Sequence, residues 1–154
     1  EQLALVPDLR VDEGVLGGVR PGFEQMRDVA FGWPVAKALG RLDVGQTVVV
    51  RDRAVLALEA IEGTDAAIRR GCALGEPGAC VIKVAKPSQD PRFDVPAVGP
   101  RTLEAMVEGG GALLALEAGR TVVLERARML READAAGIAV VAVSEASLAR
   151  GAAP

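Results

Sequence analysis

The 154-residue chain contains no histidine and no tyrosine. Without an imidazole there can be no Ser-His-Asp triad, no Cys-His pair, no His-ligated zinc and no imidazole general base. Serine is scarce as well, with only Ser88, Ser144 and Ser147, so hydroxyl nucleophiles are few. Acid–base or metal chemistry must rest on carboxylates, lysine and arginine. Three Phe and one Trp offer no stacking platform for single-stranded nucleic acid. Eighteen Lys and Arg are spread among twenty-one Asp and Glu without a basic block, for a net charge of −3, and no nucleic-acid partner is expected. Cys72 and Cys80 form no C-x-x-C pair and read as free thiols of a reducing cytoplasm. No apolar run is long enough to span a bilayer, and no secretory signal opens the chain. A start at Glu1 rather than Met points to a fragment or processed form of a bacterial cytoplasmic protein.

What is present is the composition of one globular domain, half hydrophobic and a quarter charged. Residues 3–6 read as a short strand and residues 14–22 as a Gly-rich turn. The spacing of Met26, Val29, Ala30 and Trp33 predicts a helix over 23–39, kinked or split at Pro34 and capped by Gly40. Trp33 and Phe31 read as a core or interface pair. Residues 47–50 and 55–58 form a hairpin about Arg51-Asp52-Arg53. Thr64 is the expected N-cap of a helix through Leu74, with Ile68 and Cys72 on its inner face. A buried strand follows at 80–84, then an unstructured loop over 86–99. Pro100 opens a helix striped by Leu103, Met106 and Val107, and Gly109-Gly110-Gly111 stops it ahead of the next strand. Residues 112–116 and 121–124 are expected to pair as a hairpin about Gly119-Arg120. A helix over 126–136 buries Ala127, Leu130 and Ala133 and stops at Gly137. Residues 138–143 form the last strand, and the tail after Ser144 frays. The fold class is α/β, a single mixed-sheet domain with alternating strands and helices.

The fourteen-residue loop, Lys86-Pro-Ser-Gln-Asp-Pro-Arg-Phe-Asp-Val-Pro-Ala-Val-Gly99, is the most informative stretch. Loops of this length are uncommon in compact domains and are often functional. It carries Lys86, Gln89, Asp90, Arg92 and Asp94, with Lys83 on the strand before it. Lys and Arg neutralise phosphate oxygens, and Asp residues hold Mg²⁺ through one or two carboxylates. Three prolines stiffen the loop. A solvated surface loop with incidental charges remains the plain alternative. Glu62-Gly63-Thr64-Asp65 is explained by helix capping, or else adds Glu62 and Asp65 to a metal site. Asp43-Val-Gly45-Gln46 and Glu117-Ala-Gly119 read as turns. The triple glycine lacks the Lys and Ser/Thr of a P-loop, and no G-x-G-x-x-G is present.

Taken together, Arg41-Leu42-Asp43-Val44-Gly45-Gln46, Glu62-Gly63-Thr64-Asp65 and the string Lys83-x-x-Lys86-Pro87-x-Gln89-Asp90-x-Arg92-x-Asp94-x-Pro96-x-x-Gly99 resemble a known family. It is the C-terminal domain of the UDP-2,3-diacylglucosamine diphosphatase of lipid A biosynthesis, the type unrelated to the metallophosphoesterases. The resemblance covers roughly residues 25–143. It implies Mg²⁺-dependent hydrolysis of UDP-2,3-diacylglucosamine to lipid X and UMP, on a peripheral protein at the cytoplasmic face of the inner membrane. It implies Asp94 as metal ligand or base, with Asp90 beside it as a second catalytic carboxylate. Lys83, Lys86 and Arg92, with Gln89 and Thr64, would hold the diphosphate, and Asp65 and Glu62 would join Asp94 on the metal. The family carries an N-terminal domain, which is expected to be missing here. Residues 1–22 are therefore expected to be the connection from it, 23–143 the catalytic-type domain and 144–154 a flexible tail, with homodimerisation possible. The alternatives are another metal-dependent nucleotide-sugar or phosphate-ester hydrolase, and a non-catalytic phospholigand-binding module.

Overall fold

A computed structural model describes residues 9–75, 77–88, 90 and 95–151. In chain order its elements are β1 (Gly14–Val15), α1 (Phe23–Arg41), β2 (Thr47–Arg51), β3 (Ala54–Leu58), α2 (Thr64–Leu74), β4 (Ala79–Lys83), β5 (Ala97–Val98), α3 (Pro100–Gly109), β6 (Gly111–Glu117), β7 (Val122–Val123), α4 (Arg126–Ala136), β8 (Ala139–Val143) and α5 (Glu145–Ala149). The main sheet runs β1-β8-β6-β4-β2-β3. Its centre, β8, β6 and β4, is parallel, while β2 is antiparallel to both β4 and β3. Parallel strands of this kind are buried on both faces, and β4 and β8 are buried at every position. Alternation sends Val49, Val81 and Leu114 toward α2, α3 and α4, where Ile68, Cys72, Leu103, Met106 and Met129 meet them. Val48, Val50, Ile82 and Val141 face the other way, onto Val29, Trp33, Ala36 and Leu39 of α1 and Leu148 of α5. The domain is therefore a single mixed α/β sheet clad by helices on both faces.

Both helix layers dock through a glycine. A Cβ at Gly32 of α1 would lie 2.6 Å from Ile82, and one at Gly71 of α2 would lie 2.5 Å from Val49, so any side chain there would push the helix off the sheet. This close approach also bears on Pro34. Helix α1 continues past it to Arg41 as one element, because Trp33, Ala36 and Leu39 bind the second half to the same sheet as the first. Gly40 is consequently inside the helix, and Leu42 is its C-cap.

Other expectations are corrected. Gly63 is the N-cap of α2, and Thr64 is its first residue, making no side-chain cap bond. Residues 121–124 do not pair with β6: β7 runs parallel to β5 in a separate two-stranded sheet, so residues 86–99 are not wholly without strand. Val15 with Gly14 pairs antiparallel to β8 within the stretch read as a turn. Val107 and Ala127 are exposed, whereas Met129 is buried. Trp33 is a core residue while Phe31 is partly exposed. Residues 145–149 are helical behind the Ser144–Ser147 capping pair. The strand expected at 3–6 lies outside the described residues.

The β2–β3 hairpin shows how sequence without a turn glycine can still reverse. Its two loop residues, Asp52 and Arg53, both have positive φ, 50° and 56°, as the primed hairpin turns require. Non-glycine residues resist this conformation. The buried Asp28 carboxylate of α1 accepts from both turn amides, Asp52 at 3.0 Å and Arg53 at 2.8 Å. Arg53 in turn donates to Glu24 at 2.6 Å. Asp28→Asn leaves only one acceptor oxygen for the two turn amides, and it is expected to destabilise the domain by about 1–3 kcal/mol in urea denaturation. An unchanged midpoint would show that the turn holds itself.

Candidate active site

The carboxyl ends of β3, β4, β6 and β8 reach the same edge of the sheet, where ligands of open α/β sheets are bound. Helices α2 and α3 begin there, each preceded by a glycine, Gly63 and Gly99. Their N-termini turn unpaired amides and a positive dipole end toward this edge. The three segments that carry the sequence motifs converge on it. Lys86 pairs with Asp43 at 3.1 Å. Gln46 N–H donates to the Glu59 carboxylate at 3.2 Å, and Val84 N–H to the Gln46 carbonyl at 3.0 Å. Gly45 is obligatory here, since a Cβ would collide with the Glu59 carbonyl.

The candidate residues fall into two groups. Lys83, Lys86, Thr64, Asp65 and Glu62 lie on the ends of β4, β3 and α2 at this edge; Glu62 forms an ion pair with Arg70. Asp90 is partly buried. Gln89, Arg92 and Asp94 lie outside the described residues. Among the described residues no three His, Cys, Asp or Glu side chains form a group able to hold a metal ion. Both thiols are inert: burial pushes Cys72 up to about 11 and Cys80 up to about 12. An apolar cleft of about 430 Å³, bordered by Phe23, Met26 and Leu148, shares no residue with this edge.

Lys83 is the distinctive group. It is 6% exposed, its Nζ donates to the Ala97 carbonyl at 3.1 Å, and among the described residues no carboxylate pairs with it directly. Desolvation lowers its pKa, opposed by the more distant charges of Glu59 and Asp65. Across the ladder from it sits Thr47, fully buried, whose hydroxyl lacks a hydrogen-bond partner among the described residues, as does the Gln46 side-chain oxygen. Buried polar groups are rarely left so in folded proteins, and these two beside a buried ammonium make this corner the candidate place for a polar ligand.

Sequence reasoning missed one participant and underrated another. The chain has fifteen Arg but only Lys37, Lys83 and Lys86 as lysines, and all three meet at the exit of β4. Lys37 Nζ lies 3.0 Å from both carboxylate oxygens of Glu117, at the carboxyl end of β6. The rarity of lysine was the available signal. Arginine serves the exposed ion pairs, while the compact ammonium is kept for buried positions.

Lys83 also sets a pH dependence. Its folded pKa lies below the ordinary value near 10.5, so between the two the unfolded chain binds more protons. The stability of the folded state therefore rises as pH climbs through that window, and at neutral pH the buried charge is a net cost. Relative to Lys83→Met, wild type is expected to gain stability from neutral pH toward about 10.5 in urea denaturation at stepped pH. A pH-independent difference would remove the desolvation argument.

A comparison with known families matches residues 12–141 to the LpxI C-terminal domain. The chain is 38% identical over 144 residues to a protein named UDP-2,3-diacylglucosamine pyrophosphatase LpxI from Caulobacter vibrioides. That similarity covers 88% of this chain and 51% of the relative, so the chain spans about half the relative's length. A match over most of the chain, on the segments that converge at one sheet edge, shows that it belongs to the LpxI C-terminal domain family.

Proposed function

We propose that this chain is the catalytic-type half of a Mg²⁺-dependent hydrolase that splits UDP-2,3-diacylglucosamine into UMP and lipid X. The observation that carries the reading is the convergence of the motif-bearing segments and all three lysines on the carboxyl edge of a parallel sheet. A diphosphate anion suits that edge. Lys83 supplies a charge already stripped of water, Lys86 a second, and Thr64 opens the helix whose N-terminus adds a positive dipole end. Leu42, Val44 and Ile61 stand exposed on the turns around these polar groups, an apolar rim of the kind an acylated substrate requires. Among the described residues no helix is long and apolar enough to cross a membrane. Contact with the cytoplasmic surface of the inner membrane would then be peripheral and brought about by the substrate's acyl chains.

In this reading water adds to one phosphorus of the diphosphate and the bridging P–O bond breaks, leaving UMP and lipid X. Asp94 orients the water or accepts its proton, and Asp90 serves as the second catalytic carboxylate. Arg92 and Gln89 complete the grip on the diphosphate. The hard oxygen donors suit Mg²⁺, which needs only one or two protein carboxylates; Asp94, Asp65 and Glu62 are the ones offered. When bound, Mg²⁺ neutralises phosphate charge and polarises the P–O bonds, chemistry that needs no imidazole. The chain is half the length of its relative, so the reaction is assigned to the protein that contains this domain.

The test is UMP release from UDP-2,3-diacylglucosamine, with Mg²⁺ and with EDTA, by this chain and by any longer natural form of it. Release that needs Mg²⁺ and falls by about 10²-fold or more in Asp94→Ala is expected. Release by the short chain too would make the site self-contained. No release by a folded longer form would leave another phosphate-ester hydrolase or a binding module, which turnover of non-acylated nucleotide sugars would separate.

A further inference from the structure

Ala85 is the residue at which β4 leaves the sheet. The pairing of β4 with β6 ends at Lys83 opposite Leu116, and on the other side the last bond runs from Val84 N–H to the Gln46 carbonyl. Yet Ala85 is only 1% exposed, so neither its N–H nor its carbonyl can turn to water. Two side chains from different elements take the place of the missing strand. Glu117 accepts from the Ala85 N–H at 2.8 Å. Lys37 donates to the Ala85 carbonyl at 3.5 Å, and to both oxygens of Glu117 at 3.0 Å.

This is not an ordinary surface ion pair. The Lys37 and Glu117 side chains are 24% and 14% exposed, and the ammonium lies 5.7 Å from the centre of the Trp33 ring, itself in the core. A poorly hydrated pair persists when its remaining hydrogen-bonding capacity is used, and here it is used on the N–H and carbonyl of one residue. The anchors are also firm. Lys37 sits on the sheet-bound half of α1, and the chain after Glu117 is held by bonds from Ala118 N–H to the Val143 carbonyl and Gly119 N–H to the Val11 carbonyl. The residue after the clamp is Lys86.

We propose that Lys37 and Glu117 are positioning residues. By holding both backbone polar groups of Ala85 they set the offset between Lys83 and Lys86, and so the spacing of the two ammonium groups offered to a diphosphate. This role rests on the diphosphatase reading, although the clamp itself does not. It also explains why a lysine stands at position 37: one compact ammonium must reach a carboxylate and a carbonyl at once.

The experiment combines hydrogen exchange with kinetics on the longest natural form of the protein, comparing wild type, Glu117→Ala, Glu117→Gln and Lys37→Met. In Glu117→Ala, exchange at Ala85 and Lys86 is expected to rise about tenfold or more, with the amides of 80–82 and 113–116 within about twofold of wild type. KM for UDP-2,3-diacylglucosamine should rise about tenfold with kcat changed less, the mark of lost ground-state binding. Glu117→Gln, which keeps an acceptor for the Ala85 N–H, should recover most of both. Uniform exchange across the sheet, no change at Ala85, or faster exchange with unaltered KM would overturn the proposal. Should Glu117→Ala fail to fold, Lys37→Met, which frees only the carbonyl, takes its place: exchange at Lys86 and KM are expected to rise while Glu117 still protects the Ala85 N–H, and no change in either overturns the proposal. A wild type that releases no UMP would sink the diphosphatase reading alone, and exchange at Ala85 would still decide the clamp.

Discussion

A buried peptide group has to be paired wherever it lies, and the sheet stops pairing peptides at the carboxyl ends of β4 and β6. That constraint organises this edge of the molecule. Beyond the end of β4 the chain does not pass directly into water, since Val84 and Ala85 are still buried. The chain therefore leaves through a zone in which side chains complete the hydrogen bonding. Lys83 closes on the Ala97 carbonyl, Lys37 and Glu117 close on Ala85, and Lys86 closes on Asp43. The far end of the same segment is zipped by Val122 N–H to the Pro96 carbonyl and Leu124 N–H to the Val98 carbonyl. At Ala85 the charged side chains supply the donor and acceptor that the backbone needs there.

The same logic separates the two kinds of cation. Arginine holds exposed carboxylates through single hydrogen bonds, as in Arg53 with Glu24, Arg69 with Glu108 and Arg128 with Glu132, pairs that contribute little each. The lysines are at most a quarter exposed, and each reaches a group on a different element. A single rotatable ammonium can fit between a carbonyl and a carboxylate where a planar guanidinium would clash.

How far the sequence could be read depended on the range of the interaction that decides each element. Helices α2, α3 and α4 ended where glycine, proline and apolar spacing placed them, since those signals act within a turn. The hairpin at Asp52-Arg53 was found by its flanking strands, while its stabiliser, Asp28, lies 24 residues away. The segment after Gly119 carried every local mark of a returning strand, but Val122 is drawn to Pro96 and Val11 to Thr121, long-range pairings no window contains. Helix α5 was hidden by its alanines, although Ser144 and Ser147 spell its cap. Among the candidate residues, Glu62, Thr64, Asp65, Lys83 and Lys86 stood out in sequence because they crowd into short strings at strand ends. Lys37 and Glu117 did not, because what they recognise is the backbone of Ala85, 48 and 32 residues away, which has no side-chain signature.

Lys83 shows why this edge is more than a well-made corner. Folding alone would fill a position that is 6% exposed and neighbours Val81 on the same face with an apolar side chain, which packs without desolvating a charge. The chain instead places an ammonium there and gives it a neutral carbonyl, so the charge is oriented but left uncancelled. Glu59 and Asp65 stand near enough to favour the charged form, yet neither pairs with it. Thr47 adds a buried hydroxyl opposite, without a partner among the described residues. Each choice lowers stability relative to an apolar alternative, a cost that the anion of the proposed function would relieve. Local rules broken side by side, at the end of the strand that carries the family's motif, are what the proposed function would require of this corner and what packing alone does not.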